Sequence, residues 1–527
     1  MSLEKKREVI TIVNLKTAII DIGSNTIRLV LYKYNKEEGL KEFGNIKTVA
    51  RLRSYLQPDG QISEEGIRLL AETLSSFKSI IDDYEVTDIK ATATAAIRQA
   101  KYNQDIIQRM KNDTGILIDL LTEEEEAYFG YLAVAHSMAT KSAITIDIGG
   151  GSTEITLFKE KELQKTISFP FGTVSLKEKF VSGEILNNRE KEALLQYVKA
   201  QFEKIDWIQQ VSLPVIGIGG SARNIAQIHQ RISKYPISGV HQYELSNEEL
   251  INISNRLEGL NFEQLKQLEG LASDRADIIG VALEVFRALM SVVQAEVFQV
   301  SKKGLREGII IQRVLQNNVN ALNKYKIVEE NIRQITFKYG RSENECTFQR
   351  GLTEQLYREC CQLGVFNFNE RHLEMLQCAA QVYAIGEYIE QDSSSEHTFY
   401  LLANQSILGM NHVDRIKLAL LASFKNKAYF RRFSSPFTTW ISKEELKLLK
   451  DFGGMLKFIY ALNVSKRNII ESVKLKNSDD NIHLILCANR LPVAEMYQCN
   501  RQKKQIERLF KKNVQIHFNI KGERNDN

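Results

Sequence analysis

Through the N-terminal part of the chain, short β-branched runs alternate with amphipathic helical stretches, the pattern of layered α/β structure. Thr17–Asp21 reads as a buried strand, and Ile27–Tyr34 as a second strand after a tight turn. Ile62–Asp82 has helical spacing, with Ile67, Leu70, Leu74 and Phe77 on one face. Glu85–Thr92 predicts a further strand, with a helix from about Ala95. From Leu322 to Asn477 the pattern is almost wholly helical. Beyond Ser478, a strand at His483–Cys487, a basic helix over Val493–Lys512 and a strand at Val514–Ile520 predict a small α/β unit.

A repeat organises the first half. Ala18-Ile-Ile-Asp21-Ile-Gly23-Ser24-Asn25-Thr26 is echoed by Ile144-Thr-Ile-Asp147-Ile-Gly149-Gly150-Gly151-Ser152-Thr153. Each copy sits between two strand patterns, the second being Ile27–Tyr34 in one and Glu154–Phe158 in the other. Both therefore predict strand–turn–strand hairpins, as two related lobes facing one another across a cleft would carry. A third glycine-rich turn, Gly217-Ile-Gly219-Gly220-Ser221, follows Val215-Ile216 and precedes a helix. These boundaries predict lobes over residues 14–134 and 135–316, a linker near Asn317–Asn323, a helical domain over 322–477 and a final unit over 478–527.

Composition adds limits. A length of 527 residues implies several domains. No apolar run reaches the roughly 18 residues of a membrane helix, and the charged start Met1–Arg7 is unlike a secretory signal. A cytoplasmic protein without a membrane partner is expected. Six cysteines (Cys346, Cys360, Cys361, Cys378, Cys487 and Cys499) lack metal-ligand spacing and read as reduced thiols. The net charge of +5 is uneven: Ala321 onward holds 31 Lys+Arg against 23 Asp+Glu, and the preceding part 39 against 42. A basic C-terminal part suits capture of a polyanion or simply a solvated surface.

The repeated turns carry candidate chemistry. Glycine allows backbone N–H groups to converge on a phosphate, and Ser24, Asn25 and Thr26 add side-chain donors. An aspartate ending the strand can orient water or bind Mg²⁺. A plain hairpin turn uses the same residue types, but two copies and a third glycine-rich turn favour phosphate binding. Thr122-Glu123-Glu124-Glu125-Glu126-Ala127 fits a helix start with a capping box. Four adjacent carboxylates also repel one another, so one facing a cleft would suit general-base work. Arg98, just past a strand end, is either a surface arginine or a bidentate phosphate ligand.

These motifs, in this order, resemble the exopolyphosphatase and guanosine-pentaphosphate phosphohydrolase family. Ser168–Leu176, Val240-His241, Asp274-Arg275-Ala276-Asp277 and Gly304-Leu-Arg306-Glu307-Gly308 extend the resemblance across roughly residues 14–312. The resemblance implies two duplicated actin-like (ribonuclease H-like) lobes with a cleft. It implies Glu126 as the catalytic base and Asp21, Asp147 and Glu154 as acidic groups binding Mg²⁺ or positioning water. Phosphate-binding positions would be Gly23, Ser24, Asn25, Thr26, Arg98, Gly149, Gly150, Gly151, Ser152, Thr153, Gly219, Gly220 and Ser221. Lys302 and Ser221 depart from the family pattern, which usually has an acid and a threonine there.

The region from Leu322 resembles the family's HD-like helical domain, with Tyr383-Ala384 where His-Asp would bind metal and His397 isolated. No metal chemistry is expected there. Lys425, Lys427, Arg431 and Arg432, with Arg501, Lys503, Lys504, Arg508, Lys511 and Lys512, would form a polyanion track or the solvated side of an amphipathic helix. The expected activity is Mg²⁺-assisted removal of terminal phosphate from inorganic polyphosphate. Alternatives are guanosine-pentaphosphate 5′-phosphohydrolase, a non-enzymatic alarmone or polyphosphate sensor, and an ATP-dependent kinase of the same fold. A homodimer is implied by the resemblance alone. No nucleic-acid partner is expected, since the sequence has no recognised binding module.

Overall fold

The computed structural model describes residues 15–319 and 321–521; the start Met1–Arg7, position 14 and residues 522–527 lie outside the described residues. The strands are β1 (Leu15–Ile22), β2 (Thr26–Asn35), β3 (Gly39–Val49), β4 (Asp88–Ala93), β5 (Ile118–Leu120), β6 (Ala143–Ile148), β7 (Thr153–Lys159), β8 (Glu162–Phe169), β9 (Val215–Ile218), β10 (Tyr243–Ser246), β11 (Val297–Val300), β12 (Ile470–Asn477), β13 (Asn481–Ala488) and β14 (Asn513–Ile520). The chain divides into two compact units, one drawn from Met1–Tyr235 and Val240–Ile327, the other from Pro236–Gly239 and Val328–Asn527.

The first unit holds two sheets of matching topology. One runs β3-β2-β1-β4-β5; the other, read from its far edge, runs β8-β7-β6-β9-β11 and adds β10. In each, the hairpin strands are antiparallel and the next strand joins in parallel. These are the duplicated actin-like lobes. β1 reads as an unbroken apolar run because Ala18, Ile19 and Ile20 are buried on both faces of the sheet. Helix Glu64–Asp83, capped by Ser63, packs Leu70, Leu74 and Phe77 into the first core. Helix Ile279–Val293 is apolar nearly all round because it runs through the middle of the second core.

Two helices, Glu123–Ala135 and Leu305–Asn317, cross closely within this unit. A Cβ at Gly308 would lie 2.7 Å from the Phe129 Cα, which explains the glycine ending the Gly304–Gly308 motif.

The second unit is helical from Val328 to Ala461 and ends in the three-stranded sheet β12-β13-β14. Here the element pattern differs from expectation. β12 falls within the stretch expected to be helical, and it pairs antiparallel with β13 across the 477/478 boundary. Its exposed Glu471, Lys474 and Lys476 alternate with buried positions, a half-buried pattern that charged residues disguise. The expected helix Val493–Lys512 is two, Val493–Gln502 and Lys504–Phe510. The strand expected at Glu85–Thr92 starts at Asp88, because Glu85 takes a left-handed turn (φ 52°) after the preceding helix. No helix of the described residues is long and apolar enough to cross a membrane.

Candidate active site

The two repeated turns have the same hydrogen bond. Gly23 N–H donates to Thr26 O at 3.0 Å, and Gly149 N–H donates to Ser152 O at 2.9 Å. The ladders agree: Ile22 faces Ile27 as Ile148 faces Thr153, and Asp21 faces Arg28 as Asp147 faces Glu154. Ser24 and Asn25 therefore correspond to Gly150 and Gly151. The carbonyls of Ser24, Asn25 and Gly150 are tied back into the protein. Arg53 N–H reaches Ser24 O at 3.2 Å, Arg51 N–H reaches Asn25 O at 2.8 Å, and Val174 N–H reaches Gly150 O at 3.0 Å. The N–H groups of Ser24, Asn25, Gly150 and Gly151 make no hydrogen bond among the described residues. The turns also meet: a Cβ at Gly150 would lie 3.4 Å from Ser24 Cβ. Two sets of unbonded N–H donors thus lie in adjacent turns.

The acidic cluster separates into two roles. Thr122 accepts from Glu125 N–H at 3.2 Å and Glu125 accepts from Thr122 N–H at 2.9 Å, which closes the capping box. Glu126, one residue on, turns inward and forms an ion pair with Arg98, whose other contacts are Leu121 O at 2.9 Å and Glu123 at 3.5 Å. Burial pushes the Glu126 carboxyl up to about 7; Arg98 opposes this, and the Asp147 and Asp21 charges add to it. Burial likewise raises Asp147 to about 6, opposed by Arg223 and assisted by Asp21. Burial and then Glu126 drive Glu154 well above the usual carboxylate range, against hydrogen bonds from Ser152 and from Ser168 at 3.1 Å. Asp21 is raised by burial while Arg306, at 3.2 Å, and Arg28 counter it. The four acids thus share one electrostatic environment.

The third glycine-rich turn closes against this group. Gly219 opens helix Gly219–Ile232 at φ +88°, and a Cβ there would lie 2.7 Å from Asp147 Oδ1. Ser221 is covered, its hydroxyl accepting from Arg275 at 3.3 Å, and the Arg275 guanidinium occupies the space a side chain at Gly220 would need. Thr153 is turned away: it is fully buried and donates to Phe171 O at 2.7 Å, so its hydroxyl serves the core. Thr26 contributes its carbonyl to the first turn.

Four arginines join the site that the motif order did not assign. Arg53 reaches over the second turn, its Nη1 3.0 Å from where a Cβ of Gly151 would be. Arg223 donates to Gly219 O at 2.9 Å. Arg275 and Arg306 stand within quoted motifs, but only the fold shows them against Ser221 and Asp21. No group of three or more His, Cys, Asp or Glu is placed to hold a metal among the described residues. Asp21, Asp147 and Glu154 therefore do not form an all-protein metal cage. His241 has a positional role: its Nε2 meets Ser137 O at 3.1 Å, and its Nδ1 accepts Lys302 N–H at 3.2 Å, with burial lowering it to about 4.

Residues 33–317 match the model of the Ppx/GppA phosphatase family, and residues 350–505 match Ppx/GppA phosphatase, domain III. The chain belongs to the Ppx/GppA phosphatase family. The family match begins inside β2, so the first turn rests on the register it shares with the second. Among Ppx/GppA relatives, exopolyphosphatase 1 of Mycobacterium tuberculosis is 24% identical over 57% of this chain and 88% of its own. Guanosine-5'-triphosphate,3'-diphosphate pyrophosphatase of Vibrio parahaemolyticus is 24% identical over 77% of this chain and 79% of its own. The bifunctional 3-dehydroquinate synthase/phosphatase of Fusobacterium nucleatum is 25% identical over 59% of this chain, and the match spans only about half (49%) of that relative. The solved Ppx/GppA family member of Aquifex aeolicus aligns with TM-score 0.53 and 27% identity, covering 58% of this chain and 99% of that one.

Proposed function

We propose that this Ppx/GppA hydrolase removes the terminal phosphoryl group of inorganic polyphosphate, releasing orthophosphate. The observation that carries this reading is the pair of adjoining turns with unbonded N–H groups, in one electrostatic environment with the buried Glu126 carboxyl of pKa about 7. The turn N–H groups and Arg53 would hold the terminal phosphate oxygens. Water attacks the terminal phosphorus, the bridging P–O bond breaks, and the shortened chain leaves with the bonding electrons. Glu126 takes the proton from water; at neutral pH it is substantially ionised and still basic enough for the task. Arg98, now on Glu126, would exchange that partner for a phosphate oxygen and release the base.

Asp21 and Asp147 fit Mg²⁺, which favours one or two carboxylates together with phosphate oxygens rather than a full protein cage. Burial raises both carboxyls, and the Asp21 charge raises Asp147 further; that cost of ionisation is what a cation would relieve. When bound, Mg²⁺ supplies charge neutralisation on the phosphate oxygens. Glu154, fixed by Ser152 and Ser168, would orient the attacking water.

The basic balance beyond Ala321 favours a long polyanion over a single nucleotide. Guanosine pentaphosphate is the second reading, favoured by the greater share of this chain that the Vibrio relative covers. Orthophosphate release with Mg²⁺ from long polyphosphate, short polyphosphate and guanosine pentaphosphate, in wild type and Glu126→Gln, separates the two. Release from long chains that the substitution abolishes is expected. Preference for guanosine pentaphosphate would transfer the assignment to the second reading, and binding without release from any substrate would indicate a sensor.

A further inference from the structure

The helical part of the second unit contains a cavity of about 280 Å³ that includes Tyr383 and Ala384, the positions where an HD-like site would carry His-Asp. Its size is near the lower end of small-molecule sites, roughly 300–1,000 Å³. Much of the wall is apolar or aromatic. The Tyr383 and Tyr460 ring centroids lie 5.0 Å apart, and Phe424 adds a third ring. Both hydroxyls are engaged inside the protein, Tyr383 with Phe424 O at 2.6 Å and Tyr460 with both Glu387 oxygens at 2.8 Å. What these tyrosines offer a ligand is therefore ring surface.

The cavity wall holds two lysines, Lys425 and Lys457, and two acids, Glu387 and Asp392, while Arg501 and Arg508 stand outside it. The Lys457 ammonium is half-buried and bonds to Lys425 O at 2.8 Å; Lys425 itself reaches Asp392 O at 3.4 Å. Burial, then Arg508, Lys425 and Arg501, lower the Lys457 pKa, with no carboxylate opposing them. None of these four cations forms an ion pair among the described residues. Of the two acids in the wall, Glu387 is held by Tyr460 and stands 3.6 Å from Arg341. Ser423, also in the wall, has a buried Oγ without a hydrogen-bond partner. Around Lys457 the neighbouring charges are cations, and a bound anion would lessen their repulsion.

An apolar ligand would leave the lysines uncompensated, and a bare phosphate chain would leave the rings uncovered. We propose that this cavity binds a nucleoside phosphate, with its phosphate on Lys425 and Lys457 and its planar base against Tyr460 and Phe424. Such a site lies within the second unit and would make that unit a nucleotide-responsive part of the protein.

The test is calorimetric titration of the full chain with ADP, GDP and tripolyphosphate. Three proteins are compared: wild type, Lys425→Ala/Lys457→Ala, and Ala461→Phe, which fills the cavity while keeping its cations. Circular dichroism confirms that each is folded. A nucleoside diphosphate should bind wild type, and both variants should weaken it about tenfold or more. Nucleotide binding unchanged in both variants would place it elsewhere and overturn the proposal, as would no nucleotide binding at millimolar concentration. Tripolyphosphate binding as tightly as ADP, with the same losses in the variants, would make this a phosphate-chain site and also overturn it.

Discussion

Glu126 and Arg98 form the pair on which activity should depend most directly. A base works in its ionised form, so kcat/KM should rise with pH through about 7, the value to which burial pushes Glu126. Glu126→Gln should reduce kcat by about 10²–10⁴ and flatten that rise, as a stopped phosphate-release assay across pH would measure. Arg98 holds the same carboxyl down, so Arg98→Gln should move the rise to higher pH, and Arg98→Lys should restore much of the original position. Asp147 makes the opposite demand on stability. Its folded pKa of about 6 exceeds the ordinary 3.8, so the folded state holds the proton more tightly than the unfolded chain. The ionisation penalty is absent below the unfolded value, grows as pH rises from there, and is complete above about 6. Asp147→Asn should therefore stabilise the protein at pH 8 by on the order of 2 kcal/mol, with little change at pH 4, while lowering activity. Thermal melts at the two pH values decide it.

At the scale of elements, close approaches of backbone set the site. The crossing of helices Glu123–Ala135 and Leu305–Asn317 carries Glu126 on one helix and Arg306 on the other. Gly308→Val would force these backbones apart, since its neighbour at Phe129 is main chain and cannot rotate away. A loss of about 1–3 kcal/mol or more is expected in urea unfolding, with activity falling beyond what stability explains. Element prediction succeeded where one periodicity dominated, as in helix Glu64–Asp83 and the two hairpins. It failed at β12, whose charged outward positions look helical until β13 and the Gln355 and Glu359 side chains take its N–H groups.

For the whole molecule, the duplication creates two equivalent hairpins with different chemistry. Where the second hairpin pairs Asp147 with Glu154, the first pairs Asp21 with Arg28. One lobe thus contributes two acids and the other an acid neutralised by Arg28 and Arg306. The uneven charge along the chain belongs to the same scale. If the basic part beyond Ala321 holds the polyanion, raising salt should increase KM for long polyphosphate more than for tripolyphosphate, because the long chain offers it more charges. Equal salt effects on both substrates would count against the basic C-terminal part as a polyanion-holding surface.

By itself the sequence determined the repeat, the glycine-rich turns and the ordered motifs, because those are local: a turn that must expose N–H groups needs glycine and small polar residues wherever it occurs. It likewise marked four adjacent glutamates without distinguishing them. Only the tertiary structure decided that Glu125 closes the capping box and Glu126 faces inward, since burial and the distant Arg98 make that difference. The same holds for Arg53, Arg223, Arg275 and Arg306, whose surroundings come from segments far apart in the chain. Thr153 is the converse: it follows the turn in sequence, but strand alternation directs its hydroxyl into the core.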